Sequence, residues 1–393
     1  MKLKKYYLTT LFLVSLLVQS CATVEDVALS AENEIQSFTI TRGELSKEFE
    51  ISDDSITGIV ESNFELNDLT LKVLISKGAK INPDPATIKS ITAPFALTVI
   101  AENGEDRVYN VDIKREPSVE NSVLEFNLTN EAFTTTAKIN LENGEITKRI
   151  PEFVDLKNLS IDLKFSKYAT ISPDPKTIKD YSSPVSFTVK SESGLEKVYQ
   201  VKFEYMNNDR FQSCTDANSD KWFGGDDRTN VPDILPFDRN VGTGQTIIVD
   251  KDLVPSVFSV DLKGGFRYFQ GNTNYDKAVT LKLVVRDENS KILATTTTDV
   301  PAGFSGGMIP FDLTQHNIFM EAGKKYKMFW YVVNGDVIGV NSGSNANSSN
   351  GSGFCFNSGW AGESKKSKNT TLEDLSVWYE HWWHFNIELE GKE

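Results

Sequence analysis

The chain has 393 residues, 39% hydrophobic and 24% charged, with a formal net charge of −14 at pH 7. That length holds two to four domains at about 150 residues each, and the balance is that of a globular protein with buried cores. An acidic surface repels nucleic acid and anionic lipid, and no apolar run after residue 18 approaches membrane-spanning length.

Lys2, Lys4 and Lys5 precede an apolar run over residues 6–18, which ends in Leu17-Val18-Gln19-Ser20-Cys21. A basic start, a short apolar stretch and small or polar residues before a cysteine make a secretory signal. The run is too short to span a bilayer of about 30 Å. It resembles the lipobox of bacterial lipoproteins, which implies cleavage after residue 20 and lipid (palmitate) on Cys21 as the sole membrane attachment. An ordinary secretory signal with a chance cysteine is the alternative. Residues 21–33 read as an acidic tether with too little apolar mass to fold. Glu25-Asp26 resembles the surface-export signal of Bacteroidetes lipoproteins, which implies an outer-membrane lipoprotein at the cell surface.

An internal repeat follows. Ile81-Asn82-Pro83-Asp84-Pro85-Ala86-Thr87-Ile88-Lys89 returns 90 residues on as Ile171-Ser172-Pro173-Asp174-Pro175-Lys176-Thr177-Ile178-Lys179. The same offset relates Leu69 to Leu159, Gly104 to Gly194 and Tyr109 to Tyr199. Each copy closes on two alternating strands around a Gly turn, the pattern of a β-hairpin. Short strands without helical period predict small β-sandwiches over residues 34–116 and 117–205. The copies resemble the immunoglobulin-like or PKD-like domains found in tandem in Bacteroidetes surface lipoproteins. That resemblance implies a stalk. Asp84 and Asp174 read as turn punctuation between prolines rather than metal ligands.

Beyond residue 205 the composition shifts: all six tryptophans and all three histidines lie there. Val279, Leu281, Leu283 and Val285 alternate with polar residues, Asp287-Glu288-Asn289-Ser290 turns, and a second strand begins at Ile292. With no competing helical period, residues 206–393 predict a jelly-roll head, so the whole chain is expected to be all-β. Leu281, Leu283, Val285, Asp287, Leu293, Ala294, Thr295, Ala322, Gly323 and Tyr326 resemble galactose-binding-like jelly rolls. These include many carbohydrate-binding modules, and the resemblance marks a fold more than a ligand.

The last strand carries the candidate site. Period two over Trp378-Tyr379-Glu380-His381-Trp382-Trp383-His384-Phe385-Asn386-Ile387 gives two faces. Tyr379, His381, Trp383, Phe385 and Ile387 are expected to face the core. Trp378, Glu380, Trp382, His384 and Asn386 are expected outside, where indoles stack on a pyranose and polar groups bond its hydroxyls. The alternative is that these tryptophans are covered or seal a second core. His381 and His384, three apart on a strand, face opposite sides and cannot share one metal.

Asp216, Asn218 and Asp220 place oxygens at alternate positions, the start of a calcium loop without its later Gly and Glu; a polar loop is the other reading. The Ser/Gly/Asn-rich residues 339–360 read as a long loop, with Asn345, Asn347, Asn350, Asn357 and Trp360 as candidate saccharide contacts. In an oxidising envelope Cys214 and Cys355 have the option of one disulfide. The reading is therefore a non-catalytic lipoprotein that presents a carbohydrate-binding head on a two-domain stalk, without cofactor unless structural calcium binds. An adhesion protein holding another surface protein is the alternative. A glycoside hydrolase is the third reading, with Glu380, Glu388, Asp226 and Asp227 as the head's candidate carboxylates.

Overall fold

The computed structural model describes residues 28–130, 133–224, 239–264, 278–334, 337–343, 354–365 and 368–393. Cys21 with its signal, Asp226, Asp227, Asn345, Asn347 and Asn350 lie outside the described residues, as do the side chains of Asp220 and Trp222. The fold is all-β, as expected. None of its described helices is long and apolar enough to cross a membrane. Contacts divide the chain into one compact unit ending at Val119 and a second from Glu120 to Glu393.

In the first unit Ile35–Arg42 pairs with Leu45–Phe49 and Thr70–Ile75 to make a three-stranded sheet. A five-stranded sheet faces it, in which Ser55–Val60 runs parallel to Asp106–Arg115. Alternation decides which side chains meet between the sheets: Phe38, Ile40, Ile56, Leu97, Val99, Tyr109 and Val111 are all buried there. The predicted closing hairpin is present, with Phe95 opposite Val111 and Gly104 at φ +95°, a value glycine reaches without a Cβ clash. Residues 123–205 repeat this plan around Phe126, Leu128, Ile146, Phe187, Val189 and Tyr199. In both copies the aspartate between prolines caps a short 3-10 turn: Asp84 accepts from the Ala86 amide at 2.9 Å and Asp174 from the Lys176 amide at 3.0 Å. That is the turn role its neighbours suggested.

Within the second unit the repeat packs directly on the head. Phe133 meets Phe319 edge-on at 5.3 Å, Lys148 reaches Asp252 at 2.6 Å, and Thr135 donates to Glu321 at 3.2 Å.

The head is a continuous network of strands folded over one core that includes Phe258, Val260, Leu281, Leu283, Phe311, Met328, Trp330, Ile387 and Leu389. Val279–Arg286 and Ile292–Val300 form the expected hairpin, and Lys325–Asn334 pairs on the other side of the first strand. His316 closes a 3-10 turn before Ile318. The first head strand, Asp209–Cys214, lies antiparallel to the last, Ile387–Lys392, with Cys214 opposite Ile387. This pairing brings the start of the head to the end of the chain.

Candidate functional site

The aromatic segment is not one strand. Trp378–His381 pairs with Gly359–Lys365, His384–Phe385 pairs with Val337–Gly343, and Ile387–Lys392 pairs with Asp209–Cys214 and Val254–Lys263. The chain changes partners at residues 382–383, and a change of partners breaks the two-residue period. The expected alternation of faces holds from Ile387 onward; before it Glu380 and Trp382 are exposed as expected, while Trp378, His384 and Asn386 are buried and Tyr379 is exposed.

Trp378 is the clearest correction. It was expected outside, yet it is 7% exposed and stacks on Phe329 at 4.2 Å with an interplanar angle of 7°. Its indole N–H donates to the Leu372 carbonyl at 2.8 Å. A Cβ on either Gly242 or Gly362 would meet the Trp378 ring at 2.7 Å, so two glycines make the bed for this indole. Val284, Phe329, Tyr331 and Leu372 complete a small second core. Trp360 packs against it, half-buried, and donates its indole N–H to Thr246 at 2.9 Å. Trp360 therefore has its polar atom engaged within the fold.

His384 and Asn386 are corrected in the same way, since both are buried. Asn386 accepts from the Ala217 amide at 2.9 Å and donates to Asp261 at 3.0 Å, which makes it a structural amide. His384 sits between Asp216 and Asn357, with ring nitrogens 2.6 and 3.0 Å from their side-chain oxygens. Asp216 thus keeps its side chain 46% exposed while one of its oxygens contacts the buried His384. Cys214 and Cys355 are both free thiols, the first 3.6 Å from Asp216 Oδ1 and the second 3.2 Å from the Ser213 carbonyl. The neighbouring Cys355, and then burial, push the Cys214 thiol up, while Cys214 in turn lowers Cys355.

Tyr379 is exposed where the core was expected, and Trp382 is exposed as expected. Trp382 is 69% exposed and Tyr379 is 49% exposed, and Glu380 stands between them in sequence, also exposed. His381 stacks on Trp383 at 3.7 Å with the rings 17° from parallel, and Tyr379 meets His381 edge-on at 4.8 Å. Lys221 places its ammonium 4.5 Å from the centre of the Trp383 ring. Burial, with help from the Lys221 charge, lowers the His381 pKa, so the imidazole is held neutral. Trp383 is fixed by close packing: a Cβ on Gly359 would meet its ring at 2.0 Å, and the Gly359 amide donates to the Trp383 carbonyl at 2.6 Å.

Tyr379, His381 and Trp383 thus form a row of rings at alternate positions beside the exposed Trp382. A period-two reading assigns these residues to the interior; only the glycine opposite Trp383 hints at the break. Two hollows of the described surface lie elsewhere, one lined by Glu34, Arg107 and Tyr109 and another by Phe133, His316 and Phe319. An aromatic row of this kind offers flat apolar faces edged with hydrogen-bonding groups.

Residues 35–113 and 123–203 each match the family model described as "SGBP, N-terminal". No curated protein matches the chain. Among solved structures, one from Bacteroides thetaiotaomicron named as a candidate glycoside hydrolase is 14% identical. The alignment covers 57% of this chain and 96% of that one, with a TM-score of 0.23. A structure of carbohydrate-binding modules of the β-sandwich superfamily is 9% identical over 67% of this chain and 94% of its own, with a TM-score of 0.18. A carbohydrate-binding module with GlcNAc and INT domains from Clostridium perfringens ZmpB is 12% identical over 50% of this chain and 45% of its own, at a TM-score of 0.14. Superpositions this loose say nothing of ligand or activity.

Proposed function

We propose that the protein is a non-catalytic glycan-binding protein of the cell envelope, held by lipid on Cys21, whose head takes up polysaccharide at the Tyr379–Trp382 edge. The observation that carries this reading is the exposed Trp382 beside a stacked row of Tyr379, His381 and Trp383. The C–H face of a pyranose lies flat on an indole, and Glu380, exposed between the rings, accepts from its hydroxyls. The repeats support the same reading: the family that both match is that of surface glycan-binding proteins. In this account the two repeats carry the head away from the membrane.

Affinity electrophoresis through gels that contain polysaccharide, with reducing-sugar release measured on the same samples, tests the reading. Retardation by a glycan without release is the expected result. Retardation with release would make the protein a glycoside hydrolase. No retardation across a broad panel would overturn the glycan and favour a protein partner for the exposed aromatics.

A further inference from the structure

A cluster away from the aromatic row has chemistry of its own. Cys214 ends the first head strand, Asp216 follows two residues on, and His384 comes from the short strand that pairs with Gly343. The pairing of Cys214 with Ile387 sets these groups side by side. The Cys214 sulfur, an Asp216 oxygen and a His384 ring nitrogen all lie within 4.8 Å of one another. The Cys214 sulfur is 3.6 Å from Asp216 Oδ1, and His384 Nε2 is 2.6 Å from the same oxygen. Cys355 is a second free thiol close by: its sulfur lies 3.2 Å from the carbonyl of Ser213, the residue before Cys214.

His384 carries the argument further. Both of its nitrogens face oxygen: Nδ1 lies 3.0 Å from Asn357 Oδ1 and Nε2 lies 2.6 Å from Asp216 Oδ1. A neutral imidazole has one N–H to give. If Nδ1–H goes to Asn357, Nε2 turns its lone pair toward Asp216 and can take a cation there; in the other tautomer Nε2–H closes the 2.6 Å contact as a hydrogen bond to the carboxylate. An outer hydrogen bond on one ring nitrogen is what orients a metal-bound histidine. The remaining donors are two sulfurs and a carboxylate, the set that a tetrahedral zinc-class ion accepts.

We propose that Cys214, Cys355, Asp216 and His384 form a binding site for one zinc-class divalent cation, with Asn357 orienting the imidazole. Binding replaces the two S–H bonds by two metal–thiolate bonds and releases two protons, with no change of oxidation state. The ion would tie residues 354–357 to the first head strand. Residue 359 begins the strand that pairs with Trp378–His381, so the site braces the support of the aromatic row. A cystine between Cys214 and Cys355 is the competing fate of the same thiols, and the two exclude each other.

The test uses the chain from Ala22 onward, which keeps every described residue, purified with a mild reductant and no chelator. After equilibrium dialysis against zinc chloride, metal analysis is expected to find one zinc per chain. Cobalt(II) in its place is expected to give a thiolate-to-metal charge-transfer band, a readout that needs no variant. Asn357→Ala is expected to weaken zinc binding by roughly 10–100-fold while both thiols remain titratable. Cys355→Ser, at a half-buried position, is expected to cut the intensity of the cobalt band by about half or more, since one of two thiolates is lost. Folded, reduced protein that takes up no zinc overturns the proposal. So does protein from an oxidising compartment in which Cys214 and Cys355 are joined, metal is absent and mild reduction restores no zinc uptake.

Discussion

His381 stacks on the Trp383 ring, and the Lys221 ammonium lies over the same indole. Partial burial and then the Lys221 charge disfavour the imidazolium, so the folded pKa falls below that of the unfolded chain. The unfolded state therefore binds the proton first. The stabilisation this residue gives is present above the ordinary histidine value of about 6.5 and is lost as pH falls through the lower folded value. An NMR titration of the three histidines is expected to place His381 below the ordinary value, and Lys221→Met to move it part of the way back. An unmoved midpoint in that variant would show that Lys221 has no electrostatic hold on the ring. At this scale the sequence is a poor guide to exposure. Trp378 and Trp382 share a face on paper; one lies on two glycines under Phe329 and the other stands in solvent. The glycines that decide this, Gly242 and Gly362, come from strands that only the fold brings to Trp378.

At the scale of elements, local alternation was enough where both strands of a pair lie close in sequence. The hairpins ending at Arg115 and Tyr205, and the one turning at Asp287–Ser290, could be read with their faces. The Pro-Asp-Pro turns could be read too, because an aspartate cap is a local device. The segment from Trp378 to Lys392 could not, because it changes partners twice and each partner lies far away in the chain. The junction between the second repeat and the head was equally hidden. Lys148 and Asp252 are 15% and 25% exposed, and Phe133 packs on Phe319 beside them. At the position matching Lys148, 90 residues earlier, the first repeat has Gly58, so the repeat pattern does not encode this ion pair. Removing one partner of a mostly buried pair leaves the other charge poorly solvated. Lys148→Ala is expected to cost roughly 1–3 kcal/mol, between the values for exposed and fully buried pairs. Denaturant unfolding checks this; a midpoint equal to the wild type would mean that the junction contributes no stability.

For the whole molecule, the all-β architecture and the two matching repeats followed from composition, periodicity and the 90-residue offset. The part of the site that could be anticipated was its segment and its chemistry, aromatic rings among polar groups; which rings face the solvent depended on long-range pairing. The account therefore rests on the division between Trp382, exposed for ligand, and Trp378, buried for structure. Trp382→Ala is expected to leave stability within about 0.5 kcal/mol of wild type, as exposed positions do. Trp378→Ala is expected to lose roughly 3–5 kcal/mol, as large buried aromatics do.

The most direct measurement is the glycan affinity of the Trp382→Ala protein beside the wild type, on the polysaccharide that retards the wild type most, with thermal unfolding of both run in parallel. The account predicts that retardation disappears while the unfolding midpoint stays in place. Undiminished retardation of a stably folded Trp382→Ala protein would contradict it and move the binding surface away from the Tyr379–Trp382 edge.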